Sequence, residues 1–318
     1  MVRPITDAGL AMATNRREAI SMALLAGAAA FGGSGAATAA ADSPAPGDPS
    51  PLTVNPPPPH SNATVSIAKL DGVDLAYWDT GGDRPAIVLL HPATGSHLVW
   101  GYQQAAFAAA GFRVIGYSRR GFNGSTSGDP LKHSTAAQDL RALLDHLKID
   151  RAHLVGSAAG GIVAASFALA WPQRVRSLVL ACTLLSPSDP EISALLTALR
   201  APWYSTLPHE VRELSPSYRA IDREGVRRWH DLQAQSRGDN PPVTQPSGEP
   251  ANLAALARLT MPVLFIAGDA DLISPPPLAR RFSQAVKGSR IVVLPECGHS
   301  AYWERPREFN AAVLGFLS

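Results

Sequence analysis

Side chains that can take part in acid–base or nucleophilic chemistry cluster in four short segments of this 318-residue sequence. In chain order the segments are LLHPATGS at residues 89–96, HLVGSAAGGIVA at 153–164, FIAGDADLISPP at 265–276 and PECGHSAYWERPREF at 295–309. Each contains or follows the end of an apolar run of the kind that forms a buried strand. Ligands of open α/β sheets bind beyond the carboxyl ends of the strands, so we expect the four segments to share one edge of a sheet.

The apolar pattern predicts alternating strands and helices from residue 63 onward. Residues 64–70 and 73–79 alternate apolar and polar side chains on either side of Asp71-Gly72, which is the pattern of a β-hairpin. Further strands are predicted at 86–91, 112–117, 152–155, 177–181, 263–267 and 290–294, and helices at 97–110, from Ser134 or Thr135 to 147, 159–171, 276–286 and 306–317. This order predicts an α/β protein with a mostly parallel, doubly wound sheet. The regularity is lost between about 184 and 256, which indicates an inserted cap.

The first 41 residues have the composition of an export signal. The pair Arg16-Arg17 precedes an apolar run at 19–31, which is too short for a bilayer that needs about 20 residues. Small residues follow and offer cleavage sites ending at Ala39 or Ala41. The sequence therefore predicts a twin-arginine-type signal, a periplasmic or secreted protein and no stable membrane span. A disordered alanine-rich tail on a cytoplasmic protein is the alternative.

Residues 42–62 form a predicted linker. The stretch 43–60 reads SPAPGDPSPLTVNPPPPH, with eight prolines in eighteen residues, and proline favours extended, solvated backbone. A recognition site of the polyproline II type is the other interpretation of this composition. Without residues 1–41 the chain has 25 basic and 24 acidic side chains, since three arginines and two acidic residues are removed. A net charge so close to zero argues against a nucleic-acid partner.

No cofactor is predicted. The sequence has no C-x-x-C or H-E-x-x-H spacing that would suggest a metal site, and no P-loop or G-x-G-x-x-G element that would suggest a nucleotide or flavin. The two cysteines, Cys182 and Cys297, follow different predicted strands. We expect two buried free thiols, with a disulfide as the alternative.

Taken together, the four segments resemble the α/β-hydrolase superfamily over about residues 63–318, most closely single-domain carboxylesterases and related lactone or amide hydrolases. The resemblance implies that His299 is the general base and that Asp271 orients its ring. Asp269 and Asp189 are weaker candidates for the orienting acid.

The resemblance also implies a nucleophile elbow, a sharp strand-to-helix turn of the form G-x-S-x-G. Gly156 and Gly160 have the required spacing, but the central residue is Ala158. A register centred on Ser157 would place side chains at both crowded glycine positions, which is sterically poor. Alanine has no oxygen to acylate, and in subtilisin the loss of the serine alone costs on the order of a million-fold in kcat.

The backbone N–H groups of Ala93 and Ala159 are implied by the same resemblance to form an oxyanion hole. Aromatic residues of the cap are expected to shape an apolar substrate pocket together with the loop after the first parallel strand, although packing of the cap onto the core explains them equally well. The candidate substrate-binding residues are Thr94, Trp203, Tyr204 and Trp229.

The sequence thus predicts a carboxylic ester hydrolase with alanine in place of the nucleophilic serine, an inactivated form that binds a small-molecule ester but barely turns it over. The full motif context of Asp271 and His299 favours this interpretation. One alternative is a natural, non-hydrolytic small-molecule-binding protein of the same fold. Another is a cofactor-free lyase that uses His299 and Asp271 without an acyl-enzyme. The sequence indicates no oligomeric state.

Overall fold

The structure is a computed structural model that describes residues 53–59, 63–129, 131–132, 134–241 and 243–318. The predicted signal peptide and most of the predicted linker lie outside these residues. The strands are β1 (Val65–Leu70), β2 (Val73–Asp79), β3 (Ala86–Leu90), β4 (Arg113–Tyr117), β5 (Ala152–Ser157), β6 (Val175–Ala181), β7 (Val263–Gly268) and β8 (Arg290–Leu294). The helices are α1 (Gly101–Ala109), α2 (Ala136–His146), α3 (Ala159–Ala170), α4 (Pro190–Leu199), α5 (His209–Glu213), α6 (Pro216–Ile221), α7 (Arg223–Ala234), α8 (Leu253–Leu256), α9 (Pro276–Ala285), α10 (Ala301–Glu304) and α11 (Pro306–Leu317).

Within the described residues, eight strands form one sheet in the order β1-β2-β4-β3-β5-β6-β7-β8. The predicted hairpin is confirmed, since β1 pairs antiparallel with β2, and β2 pairs antiparallel with β4. All other neighbours are parallel. Leu90 pairs with both Tyr117 and Gly156, so β3, β4 and β5 end level with one another. The loops that follow the parallel strands therefore meet at one edge of the sheet, as predicted.

Helices cover both faces of the sheet, which confirms the doubly wound α/β-hydrolase fold. On one face Leu140 of α2, Phe167 of α3 and Phe282 of α9 are buried against the strands. On the other face Phe107 of α1 and Phe309 of α11 are buried in the same way. The central strands β3 and β7 are buried along their whole length, which explains why their sequences are uniformly apolar instead of alternating.

The irregular segment between β6 and β7 contains the helices α4 to α8. These helices are short or have a narrow apolar face, and so their periodicity in the sequence is weak. In α7, for example, only Gly225 and Trp229 of twelve residues are buried. Asp189, Ser215 and Asp222 cap the starts of α4, α6 and α7 with their side-chain oxygens.

Residues 53–59 of the predicted linker are described by the structure and lie against α1 and α11, where Tyr102 donates a 2.6 Å hydrogen bond to the carbonyl of Pro56.

None of the described helices is both long and apolar enough to cross a bilayer.

Candidate active site

Ala158 lies at the apex of a sharp turn between β5 and α3. Its φ of 50° and ψ of −116° fall in a region that residues other than glycine rarely adopt. A Cβ atom on Gly160 would lie 2.0 Å from the Leu90 carbonyl oxygen, and one on Gly156 would lie 2.6 Å from the Gly161 Cα. Both crowded positions thus exclude a side chain.

This crowding determines which residue occupies the apex. Ser157, the alternative central residue, is the last residue of β5 and is 1% exposed. Its backbone remains in register with Ala181 of β6. The chain turns only at the next residue, Ala158, which is 9% exposed. The strand-to-helix turn therefore carries a methyl group at its apex.

His299 and Asp271 are paired as the sequence predicts. Asp271 follows β7 and His299 follows β8, and their side chains are almost completely buried, at 0% and 5% exposure. The His299 Nδ1 lies 2.8 Å from Asp271 Oδ2 and 3.0 Å from Oδ1. Asp271 Oδ1 also accepts hydrogen bonds of 2.8 and 2.9 Å from the backbone N–H groups of Ile273 and Ser274. The carboxylate is therefore fixed by the backbone of the loop on one side and by His299 on the other. It orients the ring so that Nδ1 donates to Asp271 and Nε2 does not contact this carboxylate.

The two weaker candidates for the orienting acid have other partners. Asp269 accepts a 3.2 Å hydrogen bond from the backbone N–H of Cys297. Asp189 accepts from the backbone N–H of Glu191 and caps α4. Among the described residues, Asp271 is the carboxylate that hydrogen-bonds the His299 ring.

The charge on His299 is set by its carboxylate neighbours. Burial by itself lowers the pKa of the ring, but the charge and hydrogen bond of Asp271, together with the charges of Glu213 and Glu304, raise the pKa to about 9. The ring is consequently an imidazolium at neutral pH in this chain. It acts as a base only after it has lost that proton.

Glu304 holds the loop that carries His299 against the cap. Its carboxylate accepts hydrogen bonds of 3.1 and 3.2 Å from the Gly298 N–H and one of 2.9 Å from the Ser215 N–H. The cap segment returns the contact, because the Glu213 carbonyl accepts from the His299 N–H at 2.8 Å. Burial raises the pKa of Glu304 to about 7, although its hydrogen bonds oppose the change. Sequence reasoning missed this residue; its place in the fourth segment was the available signal.

The loop after β3 positions the Ala93 amide through the preceding carbonyl. The Pro92 oxygen lies 2.7 Å from His91 Nδ1 and accepts from Gly95 N at 3.2 Å and Arg119 Nη2 at 3.3 Å. In a trans peptide the N–H points away from the C=O, so fixing this carbonyl also fixes the direction of the Ala93 N–H. Arg119 was not identified from the sequence.

His91 is held neutral in this loop. Its Nε2 accepts a 3.0 Å hydrogen bond from the Arg119 backbone N–H, which leaves Nδ1 as the donor to Pro92. Burial, followed by the charge of Arg119, lowers its pKa well below the usual value. The ring therefore supports the loop and is poorly suited to accept a proton.

The two amides predicted to form the oxyanion hole are both available. Ala159 is the first residue of α3, where a backbone N–H has no partner within the helix and the helix dipole favours negative charge. In the part of the chain that the structure describes, neither the Ala93 nor the Ala159 N–H donates a backbone hydrogen bond.

The predicted substrate-binding residues lie in different surroundings. Thr94 follows Ala93, and its hydroxyl oxygen is buried without a hydrogen-bond partner. Trp203 is 60% exposed, and Tyr204 lies under the guanidinium of Arg200, 4.5 Å from the ring centroid. Trp229 is buried, and its indole N–H donates a 3.3 Å hydrogen bond to Ser300 Oγ. Thr94 and Trp229 thus adjoin residues of the candidate site, whereas Trp203 faces solvent.

Cys182 and Cys297 are free and buried, as predicted. Both sulfurs contact the Gly298 carbonyl oxygen, at 3.8 and 3.6 Å, so the thiols lie beneath the loop that carries His299. Burial raises the pKa of each thiol well above its usual value. No cluster of three or more His, Cys, Asp or Glu side chains that could hold a metal occurs in the described ranges.

A doubly wound sheet carries a glycine-flanked turn, a buried His–Asp pair and two amides without backbone partners at one edge, and this arrangement is typical of α/β-hydrolases. The chain matches the family model described as the alpha/beta hydrolase family over residues 87–312, and it belongs to this family.

Two relatives and one solved structure illustrate the similarity. A 2-hydroxy-6-oxononadienedioate/2-hydroxy-6-oxononatrienedioate hydrolase of Paraburkholderia phymatum is 31% identical over 268 residues, covering 76% of this chain and 90% of that protein. A 2-hydroxy-6-oxo-6-phenylhexa-2,4-dienoate hydrolase of Comamonas testosteroni is 27% identical over 279 residues, covering 80% and 96%. A malate-bound thermophilic esterase from Thermogutta terrifontis superposes with a TM-score of 0.65 at 25% identity, covering 79% and 98%.

Proposed function

We propose that this chain is a carboxylic ester hydrolase whose nucleophile position is occupied by Ala158, so that it binds a carbonyl substrate but barely turns it over. One observation carries the proposal. The strained turn at Ala158 lies at the same sheet edge as a buried His299–Asp271 pair, and only the nucleophilic oxygen is missing. The similarity to a solved esterase supports the ester class.

The chemistry that this geometry supports is acyl transfer. With a serine at position 158, the hydroxyl would attack the ester carbonyl carbon while neutral His299 takes its proton. The carbonyl electrons would move to the oxygen, where the Ala93 and Ala159 amides stabilise the negative charge. The C–O bond to the alcohol would then break, and the leaving oxygen would receive the proton from His299. Water would release the acid from the acyl-enzyme by the same steps, and Asp271 would orient the His299 ring and stabilise it whenever it carries the proton.

A second candidate comes from the names of the relatives. The 2-hydroxy-6-oxo-6-phenylhexa-2,4-dienoate named for the Comamonas testosteroni protein has a ketone and no ester, so that its hydrolysis must break a carbon–carbon bond. A base and two amides aimed at a carbonyl oxygen suit this substrate as well. The similarity of the chain to two hydrolases of oxo-dienoates favours this candidate.

Restoring a serine tests the proposal. We expect Ala158→Ser to raise kcat on short-chain aryl esters by on the order of 10⁵- to 10⁶-fold over the unaltered chain and to make residue 158 reactive to a fluorophosphonate probe. The same two chains assayed on the phenyl dienoate separate ester from carbon–carbon cleavage. Mass spectrometry of the labelled peptide locates the modified residue.

Ser157→Ala, placed in both backgrounds, is the matched control, because the two serines would be adjacent in the chain. It should leave the activity and labelling of the restored enzyme in place. A restored chain that hydrolyses neither substrate and resists the probe would contradict the proposal and favour a binding protein. Brisk ester hydrolysis by the unaltered chain that Ser157→Ala abolishes would place the nucleophile at 157 instead, whereas a non-hydrolytic reaction of the unaltered chain that His299→Ala abolishes would favour the lyase alternative.

A further inference from the structure

Seven residues of the predicted linker, 53–59, are bound to the surface of the hydrolase domain, and we call them the strap. Asn55 is the most buried of them, at 9% exposure, and its side-chain amide donates a 2.9 Å hydrogen bond to the Glu304 carbonyl. The Tyr102 hydroxyl donates a 2.6 Å hydrogen bond to the Pro56 carbonyl. The domain therefore recognises both a side chain and the backbone of the strap.

The two strap residues that are not exposed lie three positions apart, which is the spacing of one turn of a polyproline II helix. Asn55 is buried and Pro58 is half-buried, whereas the other five residues are exposed. Polyproline II has three residues per turn, so positions three apart face the same side. The four prolines 56–59 restrict φ to the value that this helix requires, which lowers the entropy lost on binding.

The surface under the strap, which we call the groove, is shaped to receive it. A Cβ atom on Gly101 would lie 2.8 Å from the Cβ of Pro58, so the close approach depends on glycine at the start of α1. The Tyr102 ring packs edge-on against Trp303 at a centroid distance of 5.4 Å. Residues of α1 and of the start of α11 form the domain side of the groove and, together with six residues of the strap, line one open cavity; they are Tyr102, Ala105, Ala106, Pro306, Arg307 and Asn310.

The groove is also rigid. Asn310 of α11 donates a 3.0 Å hydrogen bond to the backbone carbonyl of Tyr102 in α1, which ties its two walls together. Gln103 donates to the Tyr302 carbonyl at 2.9 Å. An aromatic side chain that donates to a proline carbonyl beside small residues is the chemistry by which proline-rich segments are recognised.

We propose that the groove between α1 and α11 is a binding site for an extended proline-rich peptide and that the strap is its ligand within the same chain. The specificity comes from an asparagine three residues before a proline, since these side chains face Glu304 and Gly101. The strap has no charged side chain, so its binding depends on hydrogen bonds and apolar contact. This proposal does not depend on the proposed function.

Occupation of the groove also supports the His299 loop. The strap bonds to the backbone carbonyl of Glu304, and the carboxylate of the same residue holds Gly298 and Ser215. The strap is thus one contact from the loop that carries the candidate base. A chain without it loses a hydrogen bond that fixes the C-terminal end of α10.

A peptide added in solution tests the site. In the full chain, residues 54–59 are replaced by a glycine–serine sequence of equal length, and a fluorescent peptide TVNPPPP is titrated by anisotropy. We expect saturable binding to this chain and much weaker binding to the unaltered chain, in which the tethered strap competes for the groove. Asn55→Ala in the peptide should weaken binding about fivefold, which corresponds to the loss of one hydrogen bond. The isomeric peptide TNVPPPP should bind no more tightly than the Asn55→Ala peptide, because its asparagine is four positions before the third proline and does not face Glu304.

Gly101→Leu in the replaced chain should abolish binding, because the side chain fills the space of Pro58. A folded replaced chain that does not bind TVNPPPP, or that binds it equally well with Gly101→Leu, would overturn the proposal. Should the replaced chain fail to fold, the full chain with Asn55→Ala serves instead. Its strap is about fivefold weaker, so the labelled peptide should compete at about a fifth of the concentration that the unaltered chain requires, and addition of Gly101→Leu should exclude it; equal competition in the two chains would count against the site.

Discussion

The pKa of His299 is raised to about 9, because Asp271 together with the charges of Glu213 and Glu304 outweighs the lowering effect of burial, and we therefore expect the protonated ring to predominate at neutral pH. An imidazolium cannot accept a proton from a nucleophile. Ala158 has no hydroxyl, so the turn between β5 and α3 offers no nucleophile to the protonated His299. In the restored enzyme, the fraction of neutral His299 would limit the rate at neutral pH.

Our prediction for the pH dependence follows from that pKa. In the Ala158→Ser chain, kcat/KM for an aryl ester should rise with pH and level off above about pH 9, measured by initial rates between pH 6 and 10. Adding Asp271→Asn removes the carboxylate that raises the pKa, so the rise should move to lower pH. The plateau should fall on the order of 10⁴-fold, because the ring loses its orienting partner.

Asp269→Asn is the matched control for this prediction. Asp269 lies two residues from Asp271 but accepts a hydrogen bond from the Cys297 backbone. The control should leave the position of the pH limb unchanged. An Asp271→Asn enzyme whose limb stays near pH 9 would show that another group controls the rate.

Secondary-structure elements are the scale at which the sequence was most informative. Hydrophobic patterns are local, and the strand at 290–294 and the helix at 306–317 agree with β8 and α11 at both ends. The glycine spacing also predicted the register of the turn at Ala158, because both crowded positions are occupied by glycines four residues apart, although the neighbours that crowd Gly160 are Leu90 and His91. The four chemistry-bearing segments were therefore predictable.

Long-range contacts were not predictable from the sequence. Asn55 and Glu304 are 249 positions apart, and neither belongs to a periodic pattern that would reveal their hydrogen bond. Arg119 contacts the Pro92 carbonyl only because β3 and β4 lie side by side. Such partners depend on the folded arrangement of the elements, and short helices of the cap were missed for the related reason that their apolar faces are narrow.

Gly160 tests how strongly the turn depends on close packing between elements. In Gly160→Ala the new methyl would meet the backbone oxygens of Leu90 at 2.0 Å and His91 at 2.7 Å, and backbone atoms cannot move aside cheaply. We expect the free energy of unfolding to fall by about 3 kcal/mol or more, measured by urea denaturation.

Gly315→Ala is the comparison, since Gly315 is also helical but a Cβ there meets nothing within 4 Å. This variant should gain up to about 1 kcal/mol from the better helix propensity of alanine. Equal effects of the two substitutions would show that the packing of α3 against the β3 loop tolerates a side chain. The register of the turn would then lack its steric basis.

At the scale of the whole molecule, buried titratable groups couple stability to pH in opposite directions. Glu304 and His299 have raised pKa values, so the folded chain binds their protons more tightly than the unfolded chain does. Each stabilises the fold most at low pH and loses this contribution as pH rises through its folded pKa. His91 has a lowered pKa, and its contribution is lost as pH falls below the ordinary value of 6.5.

Because these contributions overlap, the difference between two chains is the informative quantity. The contribution of Glu304 should decline between its ordinary pKa of 4.5 and its folded pKa of about 7, by on the order of 3 kcal/mol in total. Urea unfolding of the unaltered chain and of Glu304→Gln, at intervals from pH 4.5 to 9, gives this difference directly. The unaltered chain should lose stability relative to the variant as pH rises to about 7, and the difference should then become constant.

Glu308→Gln is the appropriate control, because Glu308 is a partly exposed glutamate on α11 that pairs with Arg305. Because a surface ion pair contributes about 0–1 kcal/mol, this substitution should change the free energy of unfolding only slightly at each pH. A flat curve for Glu304→Gln would contradict the raised pKa and would mean that Glu304 is ionised throughout. A slope confined to pH 4.5–7 instead requires that Glu304 loses its proton within that range in the folded chain. Because Glu304 joins the His299 loop to the cap, this connection would then become charged near neutral pH.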